Sequence, residues 1–363
     1  MTKTRKKLLY VASTASHLKR FHMPYIEALR ADADVMLMGT GDPEFLDFDL
    51  PFEKNMLSAA NFGAIRRIRR ILKKEKFDAV ILNTSLAAFL VRAAMIGMRH
   101  RPFVHNIVHG YLYNEPTEGK KEKILALCER VMRKKTDMIS VMNAADLEIA
   151  GKGNLCLGEV AFIYGMGVNM PAELPAVDAD LRAQYAGDGE VLCTFVGELS
   201  GRKNQTFLID AIKKLRDGGA PVRLMLLGEG AERESLEAQI RENGLEGAVY
   251  LLGNREPVLP YLAVTDIYVS ASKIEGLPFN VMEAMACGLP ILASNAKGQT
   301  DLLADKPESL YQIGDLDAFC ETLAVLAASD RLGVGAVSYP MLDRYRLDAV
   351  MEENLKLMKK GWC

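Results

Sequence analysis

No C-x-x-C pair occurs among the six cysteines, Cys128, Cys156, Cys193, Cys287, Cys320 and Cys363. That argues against structural zinc, and a small disulfide scaffold is excluded. Cys193 and Cys287 sit inside apolar stretches and read as buried small hydrophobes, a usage that suits a reducing compartment. No run of 18 apolar residues exists, and the most apolar window, Asp78–Met98, is broken by Asn83, Thr84 and Arg92, so no transmembrane helix is expected. The basic start Met1–Lys7 leads only into Leu8–Ala12 before His17, Lys19 and Arg20 follow. That apolar run is too short for a signal peptide and reads as a first strand. A net charge of −2 supplies no global basic field, which removes the nucleic-acid-binding class.

What is present is a chain of 363 residues, 49% hydrophobic and 25% charged, enough for two ordinary domains with real cores. The charge is uneven. Residues 1–170 hold 26 Lys+Arg against 18 Asp+Glu, whereas residues 171–363 hold 19 against 29. The first half is the candidate for an anionic partner.

Short apolar runs alternate with segments of helical period. Strands are expected at 8–12, 35–39, 79–83, 103–109, 138–141 and 161–164, with helices near 22–30, 60–75, 85–96, 120–133 and 144–150. The pattern restarts with strands at 191–197, 223–228, 249–252, 267–270 and 290–294 and helices at 206–217, 231–243, 257–264 and 280–287. Such alternation predicts an α/β chain of two Rossmann-like doubly wound domains facing across a cleft, each with its crevice at the carboxyl ends of its strands. Pro171, Pro175 and their acidic and small neighbours put the boundary in 169–188. The expected domains are 1–170 and 171–347, with a helix in 348–363 returning to the first.

The most informative stretch runs Ser270-Ala-Ser-Lys-Ile-Glu275-Gly276-Leu277-Pro278-Phe279-Asn280-Val-Met-Glu283-Ala-Met-Ala-Cys-Gly288-Leu-Pro290. A strand ends, a loop with glycine follows, and a helix begins near Phe279–Asn280, where free N–H groups can hold a phosphate or sugar oxygen. Glu275 lies in the loop and Glu283 about one turn into the helix. Two carboxylates so placed can converge on one ligand and accept hydrogen bonds from sugar or ribose hydroxyls. An isolated pair at this spacing would be an ordinary loop acid and an ordinary helix residue; its context is what gives it weight.

This stretch resembles the E-x7-E signature of retaining GT-B glycosyltransferases of glycosyltransferase family four. The resemblance extends through Phe195-Val196-Gly197, Leu227-Gly228-Glu229-Gly230 and Leu252-Gly253-Asn254, and so covers the second half. In the first half, His17 to Leu29, His109-Gly110 and Asp137 to Asp146 look like the capsule and exopolysaccharide branch of that family, which is associated with polyprenyl-diphosphate-linked acceptors. The resemblance implies that Glu283 binds the donor ribose, that Glu275 sits near the donor sugar, that the backbone of Gly276, Leu277, Pro278 and Phe279 faces the sugar or diphosphate, and that Asn280 is a donor-side position. Gly197, Gly228 and Asn254 join them as donor-side positions. Lys203 matches the family lysine for the diphosphate, while Glu198 stands where an arginine is expected. Arg202 is the residue that can supply that charge, because a guanidinium forks onto phosphate oxygens. By the same resemblance His109 meets the donor sugar, and His17, in a first loop without the usual glycine pair, falls on the acceptor side.

No D-x-D metal motif stands in a suitable loop; Asp32-Ala33-Asp34 precedes a strand and reads as turn acids. No metal and no cofactor are expected, the nucleotide-sugar being a co-substrate. Arg66, Arg67, Arg69 and Arg70 stand in a helix whose apolar stripe is Ile65, Ile68, Ile71 and Leu72, and the rest of it is either a solvated face or a contact for an anionic membrane surface. The reading is a cytoplasmic glycosyltransferase, peripheral on the inner membrane face, that moves a UDP-linked hexose or N-acetylhexosamine to a polyprenyl-diphosphate-linked saccharide. Two alternatives stay open: a nucleotide-sugar 2-epimerase on the same architecture, and a non-catalytic sugar-nucleotide-binding protein.

Overall fold

The computed structural model describes residues 5–53, 58–114 and 119–362. Met1–Thr4 of the basic start, and Cys363, lie outside the described residues. The chain divides into two compact units, residues 1–167 with 347–363, and residues 168–346.

In the first unit the strands are β1 Lys6–Val11, β2 Ala33–Gly39, β3 Phe48–Asp49, β4 Ala79–Asn83, β5 Phe103–Val108, β6 Met138–Val141 and β7 Val160–Phe162. They lie in the order β3-β2-β1-β4-β5-β6-β7, every pair parallel. Tyr10 of β1 is in register with Leu37 on one side and Ile81 on the other. Leu8 to Val11 are wholly buried, the continuous apolar run of a strand covered on both faces.

Helix Ala59–Glu75 shows how the local code works. The Ser58 hydroxyl accepts the Ala60 N–H at its start, and Lys76 ends it in a left-handed turn. Ala64, Ile68 and Leu72, four residues apart, are buried, while Arg66, Arg67 and Arg70 are exposed. Arg69 differs from its neighbours: its guanidinium donates to the carbonyls of Ala94 (3.0 Å) and Ile96 (2.5 Å). Ile65 and Ile71 are only half-buried, so the stripe is narrower than expected.

Two further features organise this unit. Arg92, wholly buried, donates to both oxygens of Glu129 at 2.8 Å and to the Thr136 hydroxyl at 3.2 Å. Removing one partner of such a pair costs about 3–5 kcal/mol, because it strands a buried charge. The closing helix Leu347–Lys359 belongs here as well: Asn354 donates to the Tyr25 hydroxyl (2.9 Å) and the Gly165 carbonyl (2.8 Å).

The second unit holds β8 Val191–Val196, β9 Val222–Leu227, β10 Val249–Gly253, β11 Ile267–Ser270, β12 Ile291–Ser294 and β13 Leu310–Tyr311, in the order β10-β9-β8-β11-β12-β13 and again all parallel. Phe195, Ile209, Leu224, Leu226, Ile267 and Phe319 anchor its core. Phe319 comes from helix Leu316–Ala327, started by the Asp315 side chain on the Ala318 N–H. That helix and β13 were not expected, since Leu316–Ala327 is apolar almost all round and shows little helical contrast.

Each sheet reverses its strand order once, between β1 and β4 and between β8 and β11. In doubly wound sheets such a switch point opens the ligand crevice at the carboxyl ends. The loops after β1, β4, β5, β8 and β11 are therefore where chemistry is to be sought.

Candidate active site

In the second unit, β8 delivers Gly197 and the turn to Lys203, and β11 delivers the loop to Pro278. Crowding at the base is severe. A Cβ on Gly228 (φ 143°) would stand 1.9 Å from the Gly197 carbonyl oxygen, and one on Gly298 (φ 79°) 2.3 Å from that of Gly276. Only glycine lets these backbones approach so closely. Gly298 was missed in the sequence, because the residues it touches lie more than twenty positions earlier.

Glu275 is the centre of the group. Its carboxylate, 6% exposed, accepts from Lys203 Nζ at 2.5 Å and from Arg202 Nη1 at 3.2 Å. Arg202 also donates to the Ile274 carbonyl at 3.0 Å, and the Lys273 N–H donates to the Arg202 carbonyl at 2.8 Å, which laces the two loops together. Burial pushes the Glu275 carboxyl up, but the Lys203 and Arg202 charges outweigh it and hold it below its ordinary value. Glu198 lies 4.0 Å from Arg202, so that guanidinium stands between two carboxylates.

The remaining expected residues divide. Helix Phe279–Ala286 starts with no side-chain cap, and Glu283 stands one turn in, half-buried. Asn280 spends its amide on the Val196 carbonyl (2.5 Å), tying the helix to the end of β8. Leu277 and Pro278 are buried as packing, while Gly276 and Phe279 are half-buried. Asn254 is exposed beyond β10, the sheet edge two strands from β8.

In the first unit the structure brings His17 and His109 together and adds His22, which sequence reasoning left as an ordinary helix residue. The Thr14 hydroxyl caps helix Ala15–Phe21 and sets His17 in its first turn. His22 ends that helix and starts Met23–Arg30, and the break between them turns its ring onto Tyr10. His109 follows β5. The ring centroids are 4.8 Å apart for His17–His109, 5.1 Å for His22–His109 and 5.2 Å for His17–His22. Burial lowers the His17 pKa to about 4; burial, then the neighbouring imidazoles, push His22 and His109 well below the ordinary value. Beside them Thr84 holds a positive φ of 67°, its hydroxyl accepting the Ser13 N–H at 2.9 Å. His105 lies in β5 and pairs with Ser140 at 2.8 Å.

The amino edge of the same sheet carries a basic cavity of about 560 Å³ lined by Arg69, Lys73, Lys76, Arg99, His100 and Arg101 among others. Arg101 is committed to Asp137, whereas Lys73, Lys76 and Arg99 have no ion-pair partner among the described residues.

Residues 190–329, which span the whole Lys203–Glu275–Glu283 group, match the family described as Glycosyl transferases group 1. The fold is that of GT-B glycosyltransferase structures. EpsD of Bacillus subtilis, assigned as a glycosyltransferase, is 26% identical over 88% of this chain and 87% of its own. The UDP-Gal:alpha-D-GlcNAc-diphosphoundecaprenol alpha-1,3-galactosyltransferase of Escherichia coli is 26% identical over 74% of this chain and 71% of its own. Anabaena HepE, solved in complex with UDP and glucose, superposes with a TM-score of 0.74 at 18% identity, over 98% of this chain and 99% of that one, a likeness of fold.

The Glu275 ion pairs carry a signed pH dependence. A carboxyl whose folded pKa is depressed adds stability that is full above its ordinary value and is lost as pH falls through the folded one. Urea midpoints of the wild type should therefore fall more steeply than those of Glu275→Gln as pH drops below the ordinary carboxylate range. Parallel curves would show that the pairs with Lys203 and Arg202 add nothing.

Proposed function

We propose that this glycosyltransferase moves a sugar from a UDP-sugar to a hydroxyl of a polyprenyl-diphosphate-linked saccharide, with retention of anomeric configuration, in capsule or exopolysaccharide synthesis. The observation that carries the reading is the buried Glu275 carboxylate with Lys203 and Arg202 at the switch point of the second sheet. Breaking a nucleotide–sugar bond builds negative charge on the departing diphosphate, and positive groups with helix amides stabilise it. Lys203 and Arg202 supply the charge, Arg202 offsetting Glu198 where an arginine was expected, and the uncapped start of Phe279–Ala286 supplies the amides. Glu283 accepts from the ribose hydroxyls, and Glu275 meets the donor sugar. The acceptor hydroxyl attacks from the face the diphosphate leaves, and its proton passes to a diphosphate oxygen.

Two names support the substrates. The Escherichia coli relative is named for a UDP-Gal donor and a diphosphoundecaprenol-linked acceptor, and HepE was solved with UDP. An acceptor held in a membrane suits the exposed Arg66, Arg67 and Arg70, which anionic lipid attracts by about 1 kcal/mol each. No helix among the described residues is long and apolar enough to cross a membrane.

Glu283→Gln should weaken UDP binding by about 1.5–3 kcal/mol in calorimetry, the worth of a charge-assisted hydrogen bond. Glu275→Gln should spare free UDP and weaken the UDP-sugar. Unchanged UDP affinity in the first variant, or equal losses for both ligands in the second, would overturn these roles. Incubation of a UDP-sugar panel with and without a polyprenyl-diphosphate saccharide then tests the reaction: products should need the acceptor and carry the donor's anomeric configuration. Conversion without acceptor would point to the epimerase.

Attraction to a charged surface is screened over about 8 Å at physiological salt. Sedimentation with anionic vesicles should thus fall with salt, vanish on neutral vesicles and drop when Arg66, Arg67 and Arg70 are neutralised together. Arg69 is left in place, because it holds backbone carbonyls. Binding indifferent to salt and to these substitutions would return the helix to a solvated face.

A further inference from the structure

His22 has no part in the donor chemistry, yet it is fully buried against two other imidazoles. One ring nitrogen from each of His17, His22 and His109 lies within 4.8 Å of the other two. Nε2 of His17 and Nε2 of His22 are both buried, and neither has a hydrogen-bond partner among the described residues. Buried polar atoms are nearly always satisfied, so two orphans of one chemistry in one cluster of rings call for a ligand that serves both.

The surrounding hydrogen bonds accommodate the tautomers that a metal requires. Asn83 Nδ2 donates to the Val11 carbonyl at 3.2 Å, which turns its Oδ1 toward Nε2 of His109 at 3.4 Å. Nε2 of His109 then carries the proton, and Nδ1 keeps the lone pair. The Tyr10 hydroxyl lies 2.9 Å from Nδ1 of His22. With that Nδ1–H donating to the hydroxyl oxygen, Nε2 of His22 is left as an acceptor inside the cluster. A histidine that binds a metal ordinarily donates its other ring N–H to just such an oxygen.

We propose that His17, His22 and His109 form a three-imidazole site for a divalent cation of the zinc class. The donor set is all nitrogen, which suits zinc, cobalt, nickel or copper, whereas magnesium, manganese and calcium take oxygen ligands. Zinc–nitrogen bonds of about 2.0–2.1 Å in a tetrahedron put the nitrogens about 3.4 Å apart, so binding draws these three inward. His17 and His109 are half-buried, while His22 is wholly buried and held by Tyr10. Three protein ligands leave a fourth position for water. The sequence holds no metal motif, neither D-x-D in a suitable loop nor C-x-x-C, and these three histidines stand 5 and 87 residues apart. The fold assembles them, by a helix break on one side and a strand end on the other.

The test uses the full chain, stripped with a chelator and titrated with zinc chloride and, separately, cobalt chloride, with no donor or acceptor present. One equivalent should bind, zinc should raise the melting temperature by mass action, and magnesium should do neither. His17→Ala, a half-exposed position, should lose roughly tenfold or more in zinc affinity, and His109→Ala likewise. His22→Ala should abolish binding, provided its unliganded melt shows a folded protein. Absence of zinc binding, or stoichiometric binding that His17→Ala leaves unchanged, would overturn the site, as would a strong sulfur-to-cobalt charge-transfer band. Because turnover is not measured, failure here leaves the transferase reading intact, and failure of that reading leaves this one intact.

Discussion

A carboxylate cannot be buried beside a strand end unless cations come with it, and in the second unit that requirement shapes everything around the switch point. Glu275 is nearly inaccessible, and an isolated charge there would cost several kcal/mol. Lys203 and Arg202 meet it from the turn after β8, so two loops 72 and 73 residues apart in sequence must close on each other. Gly228 and Gly298 make that closure sterically possible, and Asn280 fixes the start of the helix to the end of β8. The same cations that hold Glu275 are the ones a diphosphate would recruit.

The architecture was legible because parallel strands buried on both faces write continuous apolar runs. Leu8–Ala12, Ala79–Asn83 and Ile267–Ser270 all read as strands within two residues of their limits. What failed had little contrast or little length. Leu316–Ala327 has only a narrow polar side, Asp317 and Glu321, β3 and β13 are two residues each, and the helix Ala15–Phe21 was read as a loop because its start depends on a single Thr14 cap.

The candidate site was legible where it is local. Glu275 and Glu283 stand on one loop–helix element, and Lys203 follows a strand by a short turn. Three things were not legible from spacing: the pairing of Arg202 with Glu275, the structural use of the Asn280 amide, and the histidine cluster. Each is a contact between segments that only the sheet order brings together. The basic helix gives the same lesson on a smaller scale, since four arginines that look equivalent divide into three exposed residues and Arg69, which holds backbone carbonyls.

If the Lys203, Arg202 and Glu275 group is built to receive a diphosphate, charge on the ligand must dominate affinity. Calorimetry of the wild-type chain with uridine, UMP and UDP measures this directly. The account predicts UDP binding at least about 100-fold tighter than uridine, with UMP between them and the UDP advantage shrinking as salt is raised. Equal affinity for uridine and UDP, or an advantage insensitive to salt, would contradict it.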